Sequence, residues 1–283
     1  MELRPIGLVT CSQFPGLSKD DEVLRGELEA QGLKTRAVVW DDPAVDWGDH
    51  SGLLFRSCWD YHLKLADFTV WLETIERRCI PVWNPLPTVR WNLQKTYLKA
   101  CAAAVPTVWL APGQEDELDA MMLAQGWEEA VVKPLVAAGA HNTRRVRRGD
   151  EGARAAAAAA LAPHGAMLQP FIEDVTGEGE WSFIFIDGIF THAVLKRPAP
   201  GDFRVQEEHG GTTAAARPGD DLIEAARRAL ACVETPWLYA RVDGLRSMGS
   251  LMISEIELIE PSLYFQQGPA AAKRLADSLK KRL

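Results

Sequence analysis

Three carboxylates lie close together near the end of the chain: Asp243 on one apolar segment, and Glu255 and Glu257, two residues apart, on the next. The stretch from Arg246 to Ser250 between them is turn-like. A β-hairpin centred near Met248 and Gly249 would set Asp243 opposite or diagonal to Glu255, with Glu255 and Glu257 on one face. Carboxylates brought together in this way repel unless a cation sits among them. Hard oxygen ligands of this kind suit Mg2+ held jointly with the phosphates of a nucleotide. A hairpin with one solvated acidic face is the competing reading.

A phosphate site needs cations, and three lysines occupy suggestive places. Lys95 lies in WNLQKTYLKA, Lys133 ends the apolar run EAVVKP, and Lys196 ends FTHAVLKRP. A lysine that follows apolar strand residues is placed to reach phosphates as a point charge, or is an ordinary strand-terminal surface lysine. After Lys133 comes LVAAGAHNT, whose small residues allow a backbone to approach a ligand or flex over it, although Gly139 is its one glycine. The apolar strand MLQPFIE, with Gln169, Phe171 and Glu173, leaves into a polar segment containing Glu180. An edge segment of this type can read a purine through its backbone, and carboxylates beyond it can hold ribose hydroxyls. Arg204 and His209 mark the glycine-bounded segment GDFRVQEEHGG, where Arg204 could clamp a phosphoryl or carboxylate group. In FRSCWDYH, Arg56 ends a strand pattern and is followed by Trp59, Asp60 and Tyr61. Ligands gather at strand carboxyl ends in parallel α/β sheets, which favours substrate recognition there; an Arg56–Asp60 pair in a packed loop is the alternative.

The elements that must position these groups follow from periodicity. Strands are expected over residues 5–11, 34–40, 52–57 and 80–85, alternating with helices over 20–31 and 65–78, as in a parallel Rossmann-like unit. No GxGxxG follows the first strand, so a dinucleotide fingerprint is absent. Helix 91–104, strand 106–110, helix 114–125, the Lys133 strand and an alanine-rich helix at 153–162 come next. The last third reads as mostly β, with a hairpin turn at Asp187 and Gly188, a long loop over 199–217, a helix over 219–232 and the acidic hairpin.

Composition removes several classes of function. The 283 residues carry a net charge of −8, and the longest cluster of like charge is Arg144, Arg145, Arg147 and Arg148, so nucleic acid is not expected as the main partner. The five cysteines are scattered without a CxxC pair and read as reduced thiols of a cytoplasmic protein. The six histidines form no HxH or HxxxH group, so a histidine metal site has no support. The opening MELRPIGLVTC lacks a signal-peptide layout, and no apolar run approaches the roughly 20 residues that span a bilayer.

In order and spacing, Lys95, Lys133, Gln169-Pro-Phe-Ile-Glu173, Gly179-Glu180, Lys196, Arg204 with Gly210-Gly211, Arg241-Val-Asp243 and Glu255-Ile-Glu257 together resemble the ATP-grasp superfamily, in its glutathione synthetase and RimK-like branch. The segments RSCWDY, WNLQKTYL, LQPFIE, FRVQEEHGG and ELIEPSLYF are more similar to the cyclo-ligase group of cycloserine biosynthesis. The resemblance implies an α/β (α+β ATP-grasp) fold: a pre-ATP-grasp domain over 1–90, a lid subdomain over 91–168 and a C-terminal subdomain over 169–283 that carries the metal site. It implies ATP and Mg2+, with Mn2+ as a substitute. Lys95 and Lys133 would then meet the α- and β-phosphates, Gln169, Phe171 and Glu173 the adenine, and Glu180 the ribose. Lys196, Arg204 and Arg241 would be the catalytic cations, and Asp243, Glu255 and Glu257 the metal ligands. Arg56, Trp59, Tyr61 and His209 would face the substrate. The implied activity is ATP-dependent ligation of a carboxylate to an amine, between molecules or within one, through an acyl phosphate on a small amino-acid-like substrate. A silent nucleotide-binding regulator or a kinase on the same fold are the alternatives, and a homo-oligomer is expected from relatives. Glu257 stands where the superfamily usually has a neutral asparagine, which weakens the glutathione synthetase assignment more than the ATP-grasp one.

Overall fold

The computed structural model describes residues 4–101 and 103–283. Met1 to Leu3 of the opening segment, and Ala102 of the helix expected over 91–104, therefore lie outside the described residues.

The chain begins with β1 (Ile6–Thr10), α1 (Lys19–Ala30), β2 (Thr35–Val39), β3 (Gly52–Ser57), α2 (Leu65–Arg77) and β4 (Val82–Trp83). The four strands form a parallel sheet in the order β2-β1-β3-β4. β1 and β3 are buried along their whole length, which explains their unbroken apolar runs. Helix α1 starts where the Ser18 hydroxyl accepts the Asp21 amide, and it buries Leu24 and Leu28.

Helix α3 (Leu86–Asn92) follows, then a 3-10 turn over Lys95–Ala100. The single helix expected over 91–104 is thus broken. Gln94 is extended, the Lys95 amide donates to the Leu135 carbonyl, and the Asn92 side chain bonds the backbone of Ile256 and Leu258. These long-range bonds outweigh a local helical pattern.

A second sheet is assembled from β5 (Val108–Leu110), β6 (Glu129–Pro134), β7 (Arg144–Arg147) and β8 (Ala166–Pro170), all antiparallel in the order β5-β8-β6-β7. Helices α4 (Leu118–Gln125) and α5 (Glu151–Leu161) cover one face, with Ala153, Ala157, Ala160 and Leu161 of the alanine-rich helix buried.

After the short helix α6 (Asp174–Gly177) come β9 (Glu180–Ile186), β10 (Ile189–Arg197), β11 (Thr212–Ala216), α7 (Asp220–Ala229), β12 (Tyr239–Ser247) and β13 (Ser250–Glu257). Their sheet runs β11-β10-β9-β12-β13 and is antiparallel. The long loop expected over 199–217 therefore contains an edge strand, β11, paired with β10. Helix α8 (Pro269–Lys280) closes the chain and packs on α1, where Gln31 donates to Asp277 and Lys280 to the Gln31 carbonyl. One apolar cluster joins Leu8, Leu24 and Leu28 to Ile184, Ile186, Phe265 and the α8 residues Leu275 and Leu279. The parallel sheet is therefore packed firmly against the last antiparallel one. Among the described residues no helix is long and apolar enough to cross a membrane.

Candidate active site

The β12–β13 hairpin turns at Met248 and Gly249, both with positive φ, as a tight two-residue turn requires. From the turn inward, Arg246 pairs with Leu251, Leu245 with Met252 and Gly244 with Ile253, but Asp243 pairs with Glu255. Ser254 is thus an extra residue, a β-bulge. Because strand side chains alternate, one inserted residue reverses the facing of everything beyond it. The bulge puts Glu255 and Glu257 on the same face as Asp243; without it Ser254 and Ile256 would stand there. Gly244 permits this geometry, since a Cβ on it would lie 2.8 Å from the Met252 carbonyl. As a result, Asp243, Glu255 and Glu257 each offer a carboxylate oxygen within 4.8 Å of the others.

The neighbouring strands add charge in register. On β9, Ser182 stands beside Asp243 and Glu180 beside Leu245, while Lys196 of β10 stands beside Glu180. Lys196 Nζ lies 2.8 Å from Glu180 and 3.1 Å from Asp243. Arg241 binds Asp243 through Nε and Nη2, reaches Glu257, and donates to the Ser262 carbonyl. Ser182 Oγ donates to Asp243 at 2.6 Å, and Ser254 Oγ to Glu180 at 2.7 Å. Burial alone would raise the Asp243 pKa, but Arg241 and Lys196 hold it well below the usual carboxylate range. Burial also pushes Glu257 up, against the pull of Arg241.

Lys95 reaches the same cluster from its 3-10 turn: Nζ is 2.5 Å from Glu255 and donates to the Ala137 carbonyl at 3.0 Å. It thereby ties the small-residue segment to the acidic hairpin. The Lys133 side chain on β6 makes no hydrogen bond or ion pair among the described residues; burial lowers its pKa, and Glu180, Glu255 and Asp243 counter that. A cation without a fixed partner beside a carboxylate cluster is suited to an anionic ligand.

The other sequence-derived residues are placed less uniformly. Gln169 is buried and donates to Thr107. The Phe171 amide donates to the Glu129 carbonyl, and the Arg145 guanidinium lies 3.6 Å from the Phe171 ring centre. Glu173 is exposed at the start of α6. Arg204 is held by Asp202 through Nε and Nη2 and lines a cleft of about 690 Å3 with Arg144, Arg145 and Thr176. It makes no contact with the carboxylate cluster among the described residues. His209 ends the 3-10 turn Glu207–His209, with Nε2 enclosed and unpartnered.

Trp59 donates its indole N–H to the Glu260 carbonyl and meets Phe14 edge-on. Tyr61 packs on Phe68, and its hydroxyl pKa is raised by burial and by the carboxylates of Glu260, Glu255 and Glu257. Arg56 requires a correction. It is 1% exposed, ion-paired with Asp21, bonded to the Phe55 and Pro261 carbonyls and flanked by the Tyr239 and Phe265 rings, so it clamps protein to protein and does not face a substrate. Asp60 was its expected alternative partner, but it binds Lys64 and Trp40 instead.

Sequence reasoning did not single out Ser182, Ser254 or Glu260. The first two alternate with, or adjoin, residues already singled out, and that period-2 pattern was the available signal. Around the site, His141 of the small-residue segment lies with its ring 5.2 Å from that of His62, and a Cβ on Gly139 would be 3.6 Å from Glu208. The segment therefore touches both the strand-end loop and the Arg204 loop. Burial pushes the His62 imidazole down to about 4.

Comparison with known proteins gives a consistent pattern. The family described as "D-cycloserine synthetase DcsG, N-terminal domain" matches residues 6–84, and that described as "Prokaryotic glutathione synthetase, ATP-grasp domain" matches residues 95–238. The cycloserine biosynthesis protein DcsG of Streptomyces lavendulae is 32% identical, with 98% of each chain covered. A glutathione synthetase of Parasynechococcus marenigrum (strain WH8102) is 29% identical over 94% of this chain and 81% of its own. Among solved structures, D-cycloserine synthetase DcsG superposes with a TM-score of 0.89 at 30% identity, covering 98% of this chain and 99% of that one. The D-alanine–D-alanine ligase of Bacillus anthracis shares the fold, with a TM-score of 0.68 at 17% identity over 99% of this chain and 97% of its own.

Proposed function

This chain belongs to the ATP-grasp ligases, and from that premise we propose that it uses Mg-ATP to activate a carboxylate, or a carbonyl oxygen acting similarly, on a small amino-acid-like substrate and joins it to nitrogen. The observation that carries this reading is the convergence of Asp243, Glu255 and Glu257 within 4.8 Å, bracketed by Lys95, Lys196 and Arg241. The donor set is all hard oxygen, which fits Mg2+ and argues against a soft transition metal. When bound, Mg2+ would screen the charge of the phosphates and polarise the transferring phosphoryl group.

The chain's own residues supply the rest. We place the nucleotide between the two antiparallel sheets, with Gln169, Phe171 and Glu173 toward the base and Glu180 toward the ribose. Lys133, which has no partner to give up, takes a phosphate oxygen. Lys95, Lys196 and Arg241 each exchange a carboxylate partner for a phosphate oxygen as the phosphates enter. Arg204, on a loop bounded by glycines, swings from Asp202 toward the transferring group. The substrate carboxylate attacks the γ-phosphorus, ADP leaves, and a nitrogen nucleophile then displaces phosphate from the acyl phosphate. Closure of residues 134–142, already tied to Lys95, excludes water that would hydrolyse that intermediate.

The test is ADP release by the purified protein with Mg-ATP and a panel of amino acids, dipeptides and ureido compounds, followed by mass analysis of the product. ADP, phosphate and an amide or cyclised product are expected from at least one compound. A stable phosphorylated product would identify a kinase, and ATP binding without ADP release under any condition would identify a silent module.

A further inference from the structure

One carboxylate beside the site is used by none of these roles. Glu260 lies three residues beyond β13 and is 7% exposed. Its backbone is fixed on both sides: the Ile259 carbonyl before it accepts the Tyr239 hydroxyl at 2.8 Å, its own carbonyl accepts the Trp59 indole N–H at 2.9 Å, and the Pro261 and Ser262 carbonyls after it accept Arg56 at 2.7 Å and Arg241 at 3.1 Å. Its side-chain carboxylate, by contrast, makes no hydrogen bond or ion pair among the described residues. Burying a carboxylate without donors is costly, and such groups are nearly always paired. The carboxylate is also not sealed off, since the fully enclosed unpartnered atoms are others, such as Trp71 Nε1 and Ser51 Oγ.

The surroundings define what could complete it. Burial, and then Glu257 and Glu255, push the Glu260 carboxyl up to about 8, Lys95 and Arg241 are the cations that offset this, and the Cys58 thiol and Tyr61 hydroxyl feel its charge from the parallel-sheet side. Both of those cations are already committed to Glu255, Glu257 and Asp243. Near neutral pH the raised carboxyl holds its proton until a cationic donor enters; an anionic group would be repelled, and a neutral one would leave that proton in place.

We propose that Glu260 is a specificity-determining residue that receives the cationic nitrogen of the substrate, the ammonium group of a small amino acid, next to Trp59. This rests on the ligase reading above. The ammonium supplies the missing charge and donors, and the fixed backbone on either side presets their geometry. The substrate's reacting end then extends toward the Glu255 and Glu257 side, so Glu260 orients the molecule without touching the reacting atoms.

The experiment compares ADP release with three forms of whichever amino acid is active: the free amino acid, its N-acetyl derivative and the α-hydroxy acid with the same side chain. Wild-type protein should lose at least about tenfold in kcat/KM with each form lacking the ammonium, the range of a lost charged hydrogen bond. Glu260→Gln should raise KM for the free amino acid by a similar factor, with KM for ATP unchanged, and Glu260→Asp should recover part of the loss. Equal use of the three forms by wild-type protein overturns the proposal, as does an unchanged amino-acid KM in Glu260→Gln. If Glu260→Gln does not fold, a Glu260→Asp variant with wild-type KM overturns it equally. Absence of ADP release with every compound tested overturns instead the ligase reading on which the proposal stands.

Discussion

A carboxylate as enclosed as Asp243 remains charged because Ser182, Lys196 and Arg241 all meet it. Removing its charge strands two buried cations, so Asp243→Asn is expected to destabilise the protein by about 3–5 kcal/mol in urea unfolding as well as to abolish turnover. The sign of its pH dependence follows from the lowered pKa. The unfolded chain takes up that proton at the ordinary value and the folded chain only at lower pH, so the stabilisation is complete above the ordinary value and is lost as pH falls through the folded one. His62 gives a second, separable slope. Its folded value of about 4 lies below the ordinary 6.5, so between those values the unfolded chain binds more protons and stability falls as pH is lowered. Urea midpoints from pH 7 to pH 4 should therefore decline less steeply in His62→Gln; an identical slope would remove His62 from the account. At this scale the three carboxylates and the lysines were legible because charged residues at the ends of apolar runs are conspicuous. Arg56 misled because the end of a parallel strand suits a ligand contact and a buried ion pair equally well, and its partner Asp21 lies on a different element. Glu260 carried no periodic signal, since its significance lies in the donors it lacks.

The hairpin works as an element only because of its bulge. The spacing of Glu255 and Glu257 shows that they share a face, but not that this is the face of Asp243; the extra Ser254 decides that. Gly244→Ala would press a methyl group toward the Met252 carbonyl, 2.8 Å away, and against Leu251. We expect a loss of about 1–3 kcal/mol, typical of overpacking, together with reduced turnover, and wild-type stability in thermal and urea melts would contradict this. The strands β1, β3, β9, β10, β12 and β13 were legible from their apolar runs and turn residues. Edge strands β7 and β11 were not, because Arg144–Arg147 and Thr212–Ala216 are polar or small and are held as strands by pairing with a neighbour. The break between α3 and the Lys95 turn was hidden for a similar reason: Asn92 and Tyr97 bond to β13, far along the chain.

At the scale of the molecule, the alternation of strands and helices followed by mostly β structure was enough to place a parallel unit ahead of antiparallel sheets. It did not reveal that α8 returns to pack on α1, nor that Asn84 and Tyr239 bond across between the parallel sheet and the last one. Those contacts bring the Trp59 loop against Glu260, just beyond β13, so the candidate site is assembled from segments some 200 residues apart in sequence. The most direct test of the account is ADP release by Glu255→Gln in saturating Mg-ATP with a compound active in the wild-type panel. A fall on the order of 10²-fold or more is expected, as for removal of a group that stabilises transition-state charge, with the thermal melt of the wild-type protein. Undiminished ADP production by a folded Glu255→Gln protein would contradict it.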